Sequence, residues 1–349
     1  MARLGIAGAG LLGRLLAWQL GRAGHKVSVF DPAAGPAPAY DGQGAAGFSA
    51  AGMLSPTAER ERADEQVAAL GWRSIALWRG IAEALEAPGL LSERGSVLLA
   101  HRSDRGSAER MLARCGGAQP IGTAMLAELE PALQGAAHAW WLPGEAQIDP
   151  CAMLQRLFEQ APDTVRWHWG APIATVEAGA LHTPDGERLR FDRVFDVRGL
   201  GARAASPGLQ ALRGVRGETV WLQLPGHGLT RPVRLLHPRH AVYLVPRGPE
   251  RVFVGASEIE SEDRSPVSLR SAVELMAAAH SVMPALAEAR IERLDRNLRP
   301  ALPDHRALSE VADGVVRING LFRHGWLVAP ALVQDSLAAA GLLQEDLHA

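Results

Sequence analysis

Three glycines and one acid near the start of the chain have the types and spacing to hold a dinucleotide. Gly8, Gly10 and Gly13 stand in G-A-G-L-L-G, and Asp31 closes the stretch RLGIAGAGLLGRLLAWQLGRAGHKVSVFD that begins at Arg3. Gly8 permits a tight turn. Gly10 has no Cβ to keep a pyrophosphate away from the backbone. Gly13 lets a helix lie close to a strand. The N–H groups and dipole of a helix start then attract the phosphates. Asp31 can accept both ribose hydroxyls and disfavours a ribose phosphate, which argues against NADP. The motif alone does not separate FAD from NAD.

The elements that must position these groups are legible around them. Leu4-Gly5-Ile6-Ala7 reads as a buried strand, and Leu12, Leu15, Leu16 and Leu20 recur at helical spacing. Gly24 is placed to stop that helix, and Val27-Ser28-Val29-Phe30 reads as the next strand. Further on, 64–85 has a helical pattern with Val67, Leu70, Ile75, Trp78, Ile81 and Leu85 on one face. Asp149-Pro150 caps a helix through Phe158. Strands are expected at 165–169, 173–176 and 193–197, with a two-residue hairpin turn at Asp185-Gly186. From Gly217 the pattern becomes all-β without intervening helices, so that sheet is expected to be antiparallel. An amphipathic helix follows at 268–283, with Leu269, Val273, Met276 and His280 in line, and an apolar helix at 331–343 closes the chain.

Composition narrows the function. At 349 residues the chain has room for two domains, and 47% hydrophobic with 21% charged residues is a soluble globular balance. A net charge of -2 gives no basic footprint for nucleic acid. No apolar run is long enough to span a membrane, and the first strand starts too early for a signal peptide, so a cytoplasmic location is expected. Cys115 and Cys151 form no metal or redox motif and are read as buried or half-buried free thiols, and no metal site is expected. Most of the nine Trp are read as core, with Trp167 and Trp169 on one strand face.

Four stretches then carry a family resemblance. They are GAGLLG with Asp31; AAGMLSP from Ala50 to Pro56; Tyr243-Leu244-Val245-Pro246-Arg247 with Val252 to Ala256; and Leu298-Arg299-Pro300 with Phe322-Arg323-His324-Gly325 and Ala329-Pro330. In order and spacing the chain resembles the D-amino-acid oxidase and sarcosine oxidase superfamily of FAD-dependent enzymes, and within it the glycine oxidases of the thiamin-biosynthesis type.

The resemblance implies an α/β (α+β) two-domain fold. A Rossmann-like FAD-binding domain would comprise 1–84, 145–214 and 297–349. An interleaved antiparallel-sheet substrate domain would comprise 85–144 and 215–296. It implies noncovalent FAD, because relatives that link flavin near the C-terminal motifs use a cysteine, and both cysteines here lie in the first half. The implied cofactor contacts are Gly8, Gly10, Leu11, Leu12, Gly13 and Asp31; Ser49, Ala51, Gly52, Met53 and Leu54; Ile173, Gly199 and Gly201; Arg299; and Gly320, Phe322, Arg323, His324, Gly325, Trp326 and Leu327. Read alone, Arg299 is a surface arginine before a proline turn. The resemblance makes it the fork that clamps a substrate carboxylate, with Tyr243 donating its hydroxyl and Arg323 on the flavin or amine side. These three are the expected catalytic set, and Tyr243, Glu258, Arg299 and Arg323 the expected substrate contacts. Glu258 falls where such oxidases can carry an apolar residue, and Phe48 where a small or polar one is common. His240 and His324 are read as structural histidines, and Arg216 and Arg247 as structural or surface charges. The implied reaction is oxidation of glycine, sarcosine or a small D-amino acid with oxygen as acceptor. A dehydrogenase using a quinone or carrier protein is the alternative. No nucleic-acid or membrane partner is expected, and a homo-oligomer is admitted.

Overall fold

The computed structural model describes residues 1–60, 65–204, 208–236, 241–312 and 314–343. Two large sheets dominate it. The first has six strands in the order Leu308–Ala312, Val315–Asn319, Arg193–Asp196, Arg3–Ala7, Lys26–Asp31 and Val165–Trp169. All its neighbours are parallel except the antiparallel pair of Leu308–Ala312 with Val315–Asn319. Its central strands are largely buried because helices Leu11–Arg22 and Gly325–Ala339 cover it, and their Leu, Ala and Val side chains join one core with Leu4, Ile6, Val27 and Val29. Helix Leu11–Arg22 ends at Ala23, with Gly24 in the left-handed region at φ 81°, as a stop signal requires.

The second sheet has eight strands in the order Arg290–Ala301, Arg213–Gln223, Arg251–Gly255, Val242–Arg247, Val233–Leu235, Ser96–Ala100, His138–Leu142 and Gln119–Ile121. It departs from the expected antiparallel sheet at one pair, because Val233–Leu235 runs parallel to Ser96–Ala100. That junction joins strands far apart in sequence, which no local pattern dictates. The strand Arg290–Ala301 is an addition to the expected elements, its charged sequence carrying few apolar residues to mark it. It lies at the sheet edge, where Pro300 has no second ladder to interrupt.

Four further expectations change. Helix Leu269–Val282 buries Ala272, Leu275, Ala278, Ala279 and Val282, whereas Leu269 and Val273 are 81% and 51% exposed. The smaller apolar stripe, about 125 degrees round the helix, packs on the sheet because alanines let it approach closely. The last helix begins at Gly325 and passes through Pro330. Proline there removes the donor that would bond the Trp326 carbonyl, and the buried Trp78 indole replaces it at 2.8 Å. The Asp185-Gly186 hairpin has the five-residue loop 183–187, since Pro184 favours an ordinary turn with Gly186 after it; the two-residue turn is at Ala178-Gly179, and the strand placed at 173–176 is Thr175–Glu177. Finally, the core reading of the Trp is refined: Trp18, Trp78 and Trp326 are buried in a core, Trp140, Trp167, Trp169 and Trp221 pack half-buried against one, Trp141 is half-buried and Trp72 is exposed. Trp167 and Trp169 do share a face, their rings stacked 5.8 Å apart.

Candidate functional site

A cavity of about 1070 Å³ is lined by both sheets. It is at the upper end of ordinary ligand pockets, ~300–1,000 Å³, and so suits a dinucleotide with a small second ligand. The glycine-rich turn forms one wall. Gly8 has φ 105°, and a Cβ on Gly13 would stand 1.8 Å from the Gly8 carbonyl oxygen, so the helix can sit this close only without a side chain. A Cβ on Gly10 would meet nothing nearer than Ala45 Cβ at 3.5 Å. The space at Gly10 therefore belongs to the cavity, and its glycine fits a ligand. No side chain caps helix Leu11–Arg22 at Gly10, which leaves its first N–H groups for an anion. Asp31 accepts from the Ala9 N–H at 2.6 Å and the Ala33 N–H at 2.9 Å, and each oxygen keeps a lone pair for a ribose. This donor set fits a dinucleotide. Behind the turn Arg14 is buried, donating to the carbonyls of Ala9, Leu154 and Pro36 at 3.0, 2.8 and 2.7 Å. Phe48 is buried as well, its ring 5.1 Å from that guanidinium, so it packs the core just before the Ala50–Pro56 stretch.

The eight-stranded sheet supplies the opposite wall. Tyr243 and Arg299 each lie over a glycine of the adjacent strand. A Cβ on Gly255 would be 2.7 Å from the Tyr243 hydroxyl, and one on Gly217 would be 2.5 Å from the Arg299 guanidinium carbon. Bare backbone thus lets both side chains lie along the sheet. Arg299 donates to the Ser257 carbonyl at 3.1 Å, which fixes one edge of its fork. Burial pushes the Tyr243 hydroxyl pKa up, and the nearby Arg299 and then Arg234 pull it back. A cation and a neutral O–H side by side make a good carboxylate receptor.

Beside them lies a charge cluster that sequence reasoning missed. Glu59 is 3.2 Å from Arg234, 3.2 Å from Arg323 and 3.3 Å from His324 Nδ1. Burial raises its pKa, but His324 when protonated, Arg323 and Arg234 more than offset this and bring it to about 2. Burial also lowers the His324 pKa, so the two arginines carry the pairing at neutral pH. Glu258 stands on the other side of Arg323 at 3.5 Å, with its side chain 36% exposed.

Most expected residues reach the cavity. Gly8, Gly10, Leu11, Leu12, Asp31, Ser49, Ala51, Gly52, Met53, Ile173, Gly199, Gly201, Tyr243, Glu258, Arg299, Gly320, Phe322, Arg323, Gly325 and Trp326 all line it. Four expected cofactor contacts do not: Gly13 packs beneath Gly8, Leu54 and Leu327 are core residues, and His324 turns to Glu59. Arg216 and Arg247 are structural, the first in a buried pair with Glu218 at 2.6 Å, the second on the carbonyls of Ala51 and Pro246. His240 lies outside the described residues. Besides Glu59 and Arg234, Asn297 was missed. It lines the cavity and donates to the Gly44 carbonyl and Ser49 hydroxyl, both at 3.1 Å. For Arg234 and Asn297 the alternation along their strands was the available signal, but it does not name partners, and Glu59 ends the short helix Pro56–Glu59 with no such signal.

Comparison with known proteins gives the same outline. The model of the FAD dependent oxidoreductase family, DAO, matches residues 3–334. A Rhizobium etli protein named for thiamine biosynthesis, ThiO, is 37% identical over 95% of this chain and 94% of its own length. A glycine oxidase of Geobacillus kaustophilus is 25% identical over 98% of this chain and 91% of its own. The crystal structure of a Bacillus cereus glycine oxidase superposes with a TM-score of 0.83 at 20% identity, covering 99% of this chain and 97% of that one.

Proposed function

The chain belongs to the FAD dependent oxidoreductase family and uses FAD, and from that premise we propose that it oxidises glycine or another small amino acid, sarcosine or a D-amino acid, to the imine and 2-oxo acid. Water hydrolyses the imine and releases ammonia or the amine, oxygen is the acceptor and is reduced to hydrogen peroxide, and thiamin biosynthesis is the pathway, in line with the name of its Rhizobium etli relative. The observation that carries the reading is the pair Arg299 and Tyr243, laid over Gly217 and Gly255 on the wall facing the glycine-rich turn. FAD, when bound without a covalent link, supplies the two-electron oxidising power that side chains lack. Gly8, Gly10, the start of helix Leu11–Arg22 and Asp31 hold its dinucleotide part. Arg299 takes the substrate carboxylate on its free edge while Ser257 keeps the guanidinium in place. Tyr243 donates to the same carboxylate. Arg323, fixed by Glu59, faces the amine side, and Glu258 beside it tunes the choice of substrate.

In this reading the segments 1–84, 145–214 and 297–349 hold FAD and 85–144 with 215–296 hold the substrate. Two long strands, Arg213–Gln223 and Arg290–Ala301, bridge these units. No helix of the described residues is long and apolar enough to cross a membrane, and the cytoplasm is the proposed compartment. The test is anaerobic mixing of the holoenzyme with glycine, sarcosine and small D-amino acids. Bleaching of the flavin absorbance is expected, followed by fast recovery and peroxide when air is admitted. If no amino acid bleaches it, the reading fails. Bleaching with slow recovery in air would instead support a dehydrogenase.

A further inference from the structure

Arg234 holds a place in the cavity that the carboxylate clamp leaves unused. It sits on Val233–Leu235 directly across from Tyr243 in the antiparallel register, so the two side chains leave the same face of the sheet, and both line the cavity. Its side chain is 18% exposed. One nitrogen reaches Glu59 Oε1 at 3.2 Å, but its Nε is buried and has no hydrogen-bond partner among the described residues. Arg323, on the other side of Glu59, likewise has a buried Nε without a partner there. Buried donors of a cation left unmet are costly.

The local charges point the same way. Arg234, Arg299 and Arg323 bring three positive charges to the cavity, and Glu59 is the buried carboxylate that pairs with two of them, Arg234 and Arg323. Glu258 is 3.5 Å from Arg323 and 36% exposed, so water screens most of its contribution. Glu145, the other carboxyl near Arg234, feels its charge but makes its hydrogen bonds elsewhere. It accepts from the Ser96 hydroxyl at 2.5 Å and the Ala58 N–H at 3.0 Å, and burial pushes its pKa up. A substrate carboxylate on Arg299 answers one of the remaining charges and leaves the other.

We infer that Arg234, backed by Arg323, forms a second anion position, and that the substrates this chain favours are amino acids with a second acidic group on the nitrogen substituent or side chain. The inference rests on the reading of Arg299 and Tyr243 as the first carboxylate position. Arg234 is then a specificity-determining residue, placed by its register opposite Tyr243.

The experiment uses binding, so that it does not depend on turnover. The FAD-loaded protein is titrated with malonate, succinate and glutarate and with the monomethyl ester of each, following the perturbation of the bound flavin's absorbance. At least one diacid is expected to bind about tenfold more tightly than its own ester, as for an added charge-assisted pair in a partly closed site. Arg234→Met should bring that ratio close to one, and Arg234→Lys should restore part of it. A wild-type ratio near one for every length overturns the inference, as does a ratio that survives in Arg234→Met. The wild-type ratio decides by itself if Arg234→Met does not retain FAD. If diacids bind as expected but no amino acid bleaches the flavin, the second anion position stands and the proposed reaction fails.

Discussion

Glu59→Gln isolates the charge cluster that only the fold reveals. The substitution keeps the shape of the side chain but removes the charge between Arg234 and Arg323, each 3.2 Å away, and turns one accepting oxygen into a donor. Glu59 passes from an ordinary value of 4.5 in the unfolded chain to about 2 in the fold. That difference corresponds to ~3 kcal/mol at about 1.4 kcal/mol per tenfold, and the part of it owed to protonated His324 is absent at neutral pH, where Arg323 and Arg234 supply the rest. Little of it is lost to water, because the side chain is 12% exposed. The sign follows from a folded pKa below the unfolded one. The contribution is complete above pH 4.5 and is lost as pH falls toward 2. Urea unfolding of the FAD-free protein should therefore show Glu59→Gln about 1–3 kcal/mol less stable at pH 7, and the gap should narrow by up to roughly 1 kcal/mol at pH 4. A gap under about 0.5 kcal/mol at pH 7, as for a surface pair, refutes the reasoning. So does a gap that stays constant from pH 7 to pH 4.

Four other outcomes are expected. Arg299→Ala should cost about 2–5 kcal/mol in the anaerobic reduction of the flavin by glycine, or about 30- to 4000-fold, and much less for an amine without a carboxylate; equal slowing of both would remove Arg299 from the clamp. Gly217→Ala should push the Arg299 guanidinium from its seat, because the new Cβ would stand 2.5 Å from it; a loss of roughly 10- to 100-fold on carboxylate substrates with FAD retained is expected, and wild-type rates would show that Arg299 does not use that seat. Gly10→Ala should leave unfolding of the FAD-free protein unchanged while weakening FAD binding in a fluorescence titration, whereas Gly13→Ala, with its Cβ 1.8 Å from the Gly8 oxygen, should destabilise both forms; the reverse ranking would contradict the placement of the cofactor. Trp78→Phe should cost about 1–3 kcal/mol in urea unfolding, because the Trp326 carbonyl loses its donor; an unchanged midpoint would mean that this carbonyl finds another partner.

The sequence by itself determined what contiguous residues can encode. G-A-G-L-L-G followed by helix, strand and Asp31 specifies a turn, its uncapped helix and an acid within one chain segment, and the fold has them as read. Arg299, Tyr243, Arg323 and Glu258 were legible because motifs in a fixed order carry them, and all four reach the cavity. Tertiary structure decided the rest. Periodicity marks apolar stripes on 269–282 but not which stripe meets the sheet, and packing chose alanines over Leu269 and Val273. Proline signals a helix boundary unless a distant donor takes the freed carbonyl, as Trp78 does for Trp326. The strand Arg290–Ala301 is too charged to announce itself, and its pairing with Arg213–Gln223 makes it one. The cluster of Glu59, Arg234 and Arg323 joins three remote segments, none of which has a motif for its partners. Its charges are set by mutual distance and by exclusion of water, and neither exists until the chain has folded.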